Sequence, residues 1–245
     1  PLGPNQARGV AAGGWGNYGG PSTAAVSVAS DGSVQVTSGN PDIGGSRASL
    51  AIMAAETLEV AYEAVRVTVA DTASIGPSMG TGGSRVTFAT GKAVVDACEA
   101  VIATLKARAA AMWSVGTEDV EFRDGAVHCL AGEKQGEELS MATIAARSAH
   151  SGGPVSSEVS ICPPGWMPGL GVHICDTQVD PETGNVTVVR YTAFQDTGTA
   201  IHPDYVEGQI QGGAVQGIGW ALNEAYTYNA SGQVDNPGFL DYRMP

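Results

Sequence analysis

Alternation of hydrophobic and polar residues along the chain predicts paired β-strands. In three places the alternating residues flank a short polar stretch rich in Asp, Gly or Pro, which is typical of a hairpin turn. A fourth alternating stretch has no partner across a turn of this kind. The predicted strands are residues 23–29 with 33–37 about Ser30-Asp31-Gly32, residues 120–130 about Asp124-Gly125, residues 172–179 with 186–193 about Pro181-Glu182-Thr183-Gly184, and residues 65–69 alone.

Apolar residues three and four positions apart predict helices between these strands. The clearest pattern is one helical face, formed by Val94, Cys98, Val101, Ile102, Leu105, Ala109 and Met112. Weaker patterns predict helices at residues 46–61 and 140–149 and a helical or turn-rich segment at residues 203–222.

The two halves of the chain share one order of predicted elements. Each half reads as a hairpin, then Asp-x-Gly, then a helix, with Asp42-Ile43-Gly44 in the first half and Asp196-Thr197-Gly198 in the second. This order predicts duplicated β-β-α units and an α+β fold with mixed, mainly antiparallel sheets packed by helices. A stretch rich in Ser, Gly and Pro separates the halves. We therefore expect a first unit at residues 1–150, a crossing at residues 151–169, and a second unit at residues 170–245 that lacks its C-terminal end.

Composition and spacing argue against several classes of function. The net charge of −13 is unsuited to a phosphate backbone, so we expect no nucleic acid partner. No apolar run approaches the roughly 20 residues that span a bilayer and no signal stretch opens the chain, so we expect no membrane contact and a cytoplasmic location. The cysteines and histidines lack metal-ligand spacing, and G-x-S-x-G is absent. We predict neither a metal site nor a hydrolase nucleophile, and we expect free buried cysteines, with disulfides as the alternative.

Residues 208–219 are unusual because they combine five glycines with three glutamines. Each interior glycine costs a helix roughly 1 kcal/mol relative to alanine, so this segment is a poor helix by propensity. Close approach of the backbone to a flat ligand or to another chain segment would offset that cost. The amides of Gln209, Gln211 and Gln216 are suited to bonding such a ligand.

Residues 80–87 form a second glycine-rich segment, Gly-Thr-Gly-Gly-Ser-Arg-Val-Thr. It places clustered backbone N–H groups, hydroxyls and the guanidinium of Arg85 directly before a predicted helix, an arrangement suited to an anion or a phosphate. The alternative is a tight loop that only packs against a neighbouring strand. Gly14-Trp15-Gly16-Asn17-Tyr18-Gly19 matches G-x-G-x-x-G, but a strand follows it in place of a helix, which argues against dinucleotide binding.

Together these segments resemble the molybdenum-binding subunit of the xanthine dehydrogenase and aldehyde oxidase family, the molybdenum hydroxylases. The order and spacing of the motifs, spread over most of the chain, support the resemblance. The motifs are Asp31-Gly32-Ser33-Val34, Asp42-Ile43-Gly44, Asp71-Thr72, Gly83-Ser84-Arg85-Val86-Thr87, Gly91-Lys92-Ala93-Val94, Val179-Asp180-Pro181-Glu182-Thr183-Gly184, Asp196-Thr197-Gly198 with His202-Pro203, and Gly208-Gln209-Ile210-Gln211-Gly212-Gly213 with Gln216-Gly217-Ile218-Gly219.

The resemblance implies a cofactor and a set of partners. The cofactor would be molybdopterin with molybdenum, the cytosine dinucleotide being one form of it, with iron–sulfur and flavin groups on other domains or subunits. The partners would be the remaining domains of the molybdenum subunit, the iron–sulfur and flavin subunits, and a small-molecule substrate. The implied cofactor-binding residues are Gly44, Gly45, Gly82, Gly83, Ser84, Arg85, Thr87 and Gln216.

The resemblance also implies separate roles within this set. Gln216 would bond the pterin. Gly82 and Gly83 would let the backbone approach the molybdenum end, and Ser84 and Thr87 would donate to polar groups of the cofactor.

The chain departs from the family pattern at two points. The family commonly has Asp-x-Gly-Gln-Gly at the first Asp-x-Gly, where the glutamine meets the cofactor, whereas this chain has Gly45 in the place of that glutamine. The family's catalytic glutamate lies in a Gly-Glu motif beyond Pro245, so no catalytic residue is assigned here. We expect a portion of a longer subunit that is inactive alone, because the chain also begins at Pro1 without a methionine.

The complete enzyme would hydroxylate an aldehyde or an N-heterocycle with oxygen derived from water. The alternative is an independently folding structural or interaction domain of such a subunit that binds no cofactor. Molybdenum content distinguishes the two.

Overall fold

The computed structural model of the chain describes residues 2–69 and 73–245. The motif Asp71-Thr72 therefore lies outside the described residues. The strands are β1 (Gln6–Tyr18), β2 (Ser22–Val28), β3 (Val34–Ser38), β4 (Val65–Val69), β5 (Val120–Arg123), β6 (Ala126–Cys129), β7 (Glu138–Ser140), β8 (Val155–Ile161), β9 (Trp166–Val179) and β10 (Val186–Gln195). The α-helices are α1 (Ser46–Thr57), α2 (Gly91–Trp113), α3 (Met141–Ala146) and α4 (Pro203–Leu222).

The chain divides into two compact units. Unit 1 combines Pro1–Trp15 with Pro168–Pro245, and unit 2 is Gly16–Met167. These units differ from the expected boundaries, because residues 1–15 group with the later part of the chain and residues 151–167 with the earlier part. The division into domains at residues 150 and 170 stays a prediction.

Unit 2 is built on a four-stranded sheet with the order β4-β3-β2-β8. β2 pairs antiparallel with β3 and with β8, whereas β3 pairs parallel with β4. The connection between β3 and β4 contains α1, as a parallel pair requires a crossover. Alternate residues of the central strands point into the core, where Val26 and Val36 face each other across the sheet and are almost fully buried.

The two long helices of unit 2 cover this sheet. α1 packs on β4, α2 packs on β2 and β8, and the two helices pack on each other. The predicted helical face of α2 is confirmed. Ile102 and Met112 are partly buried against the core, and the other five members are fully buried: Val94, Cys98, Val101, Leu105 and Ala109. Desolvation in this core raises the pKa of the Cys98 thiol to about 12, so the thiol stays protonated.

A smaller antiparallel sheet, β5-β6-β7, completes unit 2. The predicted hairpin about Asp124-Gly125 is confirmed by the pairing of β5 with β6. α3 follows β7 directly, and the Thr143 amide donates to the Ser140 hydroxyl at 3.2 Å, which caps the helix.

Unit 1 contains a three-stranded sheet with the order β1-β9-β10, and α4 contacts β10. β9 and β10 form the predicted antiparallel hairpin, with one irregularity between Val188 and Arg190. Arg8 on β1 donates through Nε and Nη2 to the two carboxylate oxygens of Asp176 on β9, at 2.6 and 2.8 Å. Within the described part of this unit the buried residues are only Asp176, Ala214 and Gly219.

The expected fold class is confirmed: an α+β protein with mixed, mainly antiparallel sheets. The predicted order of hairpin then helix also occurs twice, as β2-β3-α1 and as β9-β10-α4. Two strands were not predicted, namely β1 near the start of the chain and β8 in the stretch expected to be a crossing. None of the helices within residues 2–69 and 73–245 is long and apolar enough to cross a membrane.

Candidate functional site

The first loop of the predicted site comprises residues 40–45, directly before α1, and the Asp42 carboxylate organises it. Its Oδ1 accepts hydrogen bonds from the Ser46 amide at 2.8 Å and from the Gly44 amide at 3.4 Å, and Oδ2 accepts from Arg47 Nε at 2.9 Å. Gly45 precedes α1 with a φ of +82°, in the left-handed region that favours glycine. The loop therefore has a fixed shape in which the backbone of Gly44 is exposed.

The same contacts set the ionisation of Asp42. Partial burial raises its pKa, but hydrogen bonds from Arg47, Gly44 and Ser46 outweigh that effect and lower the pKa to about 2. The carboxylate is consequently charged throughout the physiological pH range and keeps its donors in place.

The second predicted loop, residues 80–87, has an exposed outer surface. Gly82, Ser84 and Thr87 are exposed, and no atom lies within 4 Å of the place where a side chain on Gly82 would begin. Gly83 has a φ of +65°, and a Cβ there would lie 2.5 Å from Cδ2 of Tyr18. The loop thus packs closely on Tyr18 through Gly83 while the Gly82 backbone and two hydroxyls remain accessible.

Arg85 belongs to that loop, but its side chain is turned into the protein and the residue is 1% exposed. Its Nε donates to the Gly19 carbonyl at 2.8 Å and its Nη1 donates to the Met79 carbonyl at 2.8 Å. Nη2 donates to the carbonyls of Gly20 and Pro21 and to the Ser22 hydroxyl. Every one of these acceptors is neutral, and no carboxylate pairs with Arg85 among the described residues.

Asn40 connects the two loops, and sequence reasoning missed it. Its Nδ2 donates to the Met79 carbonyl at 2.8 Å, the same oxygen that Arg85 bonds, and it lies 3.4 Å from the Thr81 hydroxyl. Thr90, at the end of a π-helical turn (Val86–Thr90) that leads into α2, donates to Asn40 Oδ1 at 2.8 Å. An asparagine just before Asp-x-Gly was the only signal in the sequence, because asparagine often bonds loop backbone.

The residue Gln216 lies on α4, in unit 1, whereas the other predicted site residues lie in unit 2. α4 is a regular helix of 20 residues, with Pro203 in its first turn and the His202 imidazole accepting from the Tyr205 amide at 3.4 Å. The side chain of Gln216 is exposed, as are those of Gln209 and Gln211. The structure therefore brings seven of the eight predicted residues together within two adjoining loops of unit 2, and the eighth, Gln216, belongs to unit 1.

Glycines destabilise a helix, and we expected close contact of the α4 backbone with another chain segment or a ligand to offset that cost. Most of the α4 glycines make no such contact with another segment of the chain. No atom lies within 4 Å of the Cβ positions of Gly208, Gly212, Gly213 or Gly217. At Gly219 alone among the α4 glycines, a Cβ would collide with the Glu224 carboxylate and approach Pro245 to 2.8 Å. The described chain thus explains one of the five glycines, and the surface of α4 around the other four is open.

Metal ligands and disulfides do not account for the site. Across the ranges that the structure describes, no three His, Cys, Asp or Glu residues lie close enough to hold a metal ion. All four cysteines are free; Cys98 and Cys129 are buried, Cys162 is exposed and Cys175 is partly exposed. The expectation that all four would be buried was wrong for the last two.

Comparison with known proteins identifies the family. A family model described as the molybdopterin cofactor-binding domain matches residues 5–245. The chain is 34% identical over 239 residues to the nicotine 6-hydroxylase large subunit of Paenarthrobacter nicotinovorans. It is 33% identical over 222 residues to the xanthine dehydrogenase molybdenum-binding subunit of Escherichia coli O157:H7. These alignments cover 91% and 88% of this chain but only 28% and 29% of the two relatives.

Solved structures support the fold. The Cu,Mo-CO dehydrogenase and the quinoline 2-oxidoreductase of Pseudomonas putida 86 each superpose with a TM-score of 0.85 at 24% identity. Each superposition covers 98% of this chain and about a third of the other, at 32% and 33%. The family model spans nearly the whole sequence and one of the two relatives is by name a molybdenum-binding subunit, so the chain belongs to the molybdopterin cofactor-binding domains of the xanthine dehydrogenase and aldehyde oxidase family.

Proposed function

We propose that this chain holds molybdopterin within a larger molybdenum hydroxylase that introduces oxygen from water into a C–H bond of an aldehyde or an N-heterocycle. The observation that supports this best is the buried Arg85 guanidinium beneath an exposed glycine loop. The family membership supports the identity of the ligand.

The buried guanidinium favours an anion at the loop. Desolvation lowers the pKa of Arg85, which reflects the cost of keeping a charge away from water. Five neutral acceptors offset part of that cost, but their hydrogen bonds leave the positive charge in place. An anionic group over residues 82–84, such as the phosphate of molybdopterin, would be attracted by the remaining field.

The predicted roles fit the exposed groups of the loops. The amides of Gly82 and Gly83 would approach the cofactor, and the hydroxyls of Ser84 and Thr87 would donate to its polar atoms. Since the Arg85 side chain is bonded on all three nitrogens, we assign it a positioning role in place of direct contact with the cofactor.

Gly44 and Gly45 would offer backbone groups where the family commonly has a glutamine. Asp42 fixes their position through its bonds to the Gly44 and Ser46 amides. On α4, the Gln216 amide would bond the pterin, since it is exposed and neighbours open glycine positions.

The bound cofactor would supply the redox centre at which the substrate is oxidised. The residues of this chain would hold and orient it, with the dinucleotide extension, in the cytosine form, along the glycine loops. The proposed partners are the remaining domains of the molybdenum subunit and the iron–sulfur and flavin subunits. The proposed location is the cytoplasm.

A test measures molybdenum and pterin per polypeptide in the complete subunit purified with its partner subunits. We expect near one equivalent of each in the wild type and at least about fivefold weaker pterin retention in Gln216→Ala, the factor for one lost hydrogen bond. Gln211→Ala is the matched control, because its side chain points about 140° away around the helix. Persistent absence of molybdenum and pterin from the wild-type complex would instead support a structural domain that binds no cofactor.

A further inference from the structure

The Met79 carbonyl oxygen is a shared acceptor between the two glycine loops. Asn40, from the loop that continues into Asp42, reaches this oxygen at 2.8 Å, and Arg85, from the second loop, reaches it at 2.8 Å. A carbonyl oxygen has two lone pairs, so it can accept from both donors. The two loops are therefore joined through one backbone atom.

Burial strengthens this junction. Asn40 is 3% exposed and Arg85 is 1% exposed. Hydrogen bonds in such surroundings are stronger than in water, and a donor or acceptor left unpaired is correspondingly costly. Among the described residues no buried side-chain nitrogen or oxygen lacks a hydrogen-bond partner, so the hydrogen bonds of the network are fully satisfied.

Thr90 fixes the direction in which Asn40 donates. Its hydroxyl donates to Oδ1, which leaves Nδ2 of the same amide directed at the Met79 carbonyl. Thr81 adds a second link, because its hydroxyl donates to the Pro41 carbonyl at 3.2 Å. The first loop, the second loop and the start of α2 consequently meet at one buried cluster.

We propose that Asn40 and Arg85 are positioning residues that lock the two glycine loops into one rigid surface through the Met79 carbonyl. The consequence for the cofactor rests on the proposed function: a preorganised surface loses less entropy on binding than two independent loops. The locking itself is a property of this chain without any ligand.

Trypsin tests the locking, because cleavage after Arg85 requires the guanidinium to leave its buried position. We expect Asn40→Ala to raise the native-state cleavage rate after Arg85 by about tenfold, although the substitution lies in the other loop. Cleavage after the exposed Arg123, at the turn between β5 and β6 and outside both loops, reports the general susceptibility of the chain in the same digest. An unchanged rate after Arg85 would overturn the proposal.

A milder pair of variants covers the case in which Asn40→Ala does not fold. Thr90→Val and Thr104→Val each remove one threonine hydroxyl with little change of shape, and Thr104 only bonds the Ala100 carbonyl of its own helix. We expect cleavage after Arg85 to be about fivefold faster in Thr90→Val than in Thr104→Val. The two rates are compared after correction for any difference in the urea unfolding midpoints of the two variants. Equal rates in the two variants would show that the hydroxyl contributes only general stability and would contradict the proposal.

Cofactor retention gives a second readout in the complete subunit. Thr90→Val is expected to release pterin faster than Thr104→Val at a temperature well below unfolding. Equal release would count against the locking. Absence of pterin from the wild type would refute the proposed function, while the trypsin comparison on the ligand-free chain would still decide the locking.

Discussion

Gly82 and Gly83 are neighbours with opposite tolerance for a side chain. Alanine at position 83 would require a φ of +65° and would place its Cβ 2.5 Å from Tyr18, so we expect Gly83→Ala to lower the free energy of unfolding by about 2 kcal/mol. Gly82→Ala meets open space and should change it by less than about 0.5 kcal/mol. Urea unfolding of both variants measures the difference.

The ring of Tyr18 provides a control for that prediction. In a Tyr18→Ala background the collision is gone, so Gly83→Ala should then cost only the backbone strain. An undiminished cost would show that the contact with Tyr18 contributes nothing. The proposed function adds a separate expectation, namely that Gly82→Ala folds normally yet retains less pterin in the complete subunit.

Asp42 should make the stability of unit 2 depend on acid. Its pKa is lowered to about 2 in the folded chain against about 3.9 when unfolded, so its contribution is complete above about pH 5 and is lost as the pH falls through 2 toward about 1. Because Arg47 is largely exposed, solvent screening reduces this contribution to about 1 kcal/mol. The difference in unfolding free energy between wild type and Asp42→Asn should be full at pH 6 and mostly lost at pH 2.

Arg47→Met separates the two kinds of bond that Asp42 makes. It removes the ion pair and leaves the amides of Gly44 and Ser46 in place. We expect the unfolding free energy of Arg47→Met to depend on pH less than that of the wild type and more than that of Asp42→Asn. A wild-type difference from Asp42→Asn that is equally large at pH 2 and pH 6 would argue that charge at this position is irrelevant.

At the scale of residues, the sequence predicted two loops as the candidate site but did not show how each of their side chains is used. Gly82, Ser84 and Thr87 are exposed as a binding role requires, whereas Arg85 is turned inward to carbonyl groups. A guanidinium in a glycine-rich loop suits an external phosphate and an internal set of carbonyls equally well. Only the positions of Gly19, Gly20 and Pro21, which are distant in sequence, distinguish these uses. Asn40 was missed for the same reason.

The α4 helix has a composition that conflicts with its conformation. Four of its glycines have open space where a side chain would begin, so Gly212→Ala should stabilise the helix by about 0.5–1 kcal/mol. Gly212 lies one turn before Gln216, so an added methyl group should also hinder a pterin bound there. We expect slower amide exchange in α4 of the ligand-free chain together with lower pterin content in the complete subunit.

Gly208→Ala is the matched control for this trade-off. It should bring a similar gain in helix stability, but its position is about 12 Å along the axis from Gln216. Pterin content should then stay close to the wild-type value. If both variants retain the pterin fully, the glycines of α4 are not kept open for this ligand.

At the scale of elements, periodicity succeeded where one face is buried against a core. α2 was predicted because its buried face repeats over many turns, and the hairpins were predicted because turn residues separate alternating runs. β1 was missed since most of its residues are exposed and glycine-rich, and β8 since only Val155 of that strand is fully buried. Both strands exist through backbone pairing with neighbours that the local sequence does not reveal.

At the scale of the molecule, the two units differ in how much they bury. Unit 2 contains the continuous apolar core formed by the four-stranded sheet, α1 and α2. Unit 1 has only three buried residues in its described part, and it exposes large apolar side chains such as Leu170 and Phe194. Since burial of apolar surface is the main stabilising contribution, unit 2 should be the more stable of the two.

Hydrogen–deuterium exchange followed by mass spectrometry tests this difference on the chain as it stands. We expect amides of β2, β3 and α2 to exchange at least about tenfold more slowly than amides of residues 172–179 and β10, after correction for intrinsic rates. Leu105→Ala, which opens a cavity in the core of unit 2 and should cost about 2–5 kcal/mol, should accelerate exchange in β2, β3 and α2. It should leave the rates of β10 unchanged, because those amides already exchange through local opening. Equal protection in the two units, or acceleration of both by Leu105→Ala, would mean that the chain unfolds as one cooperative structure.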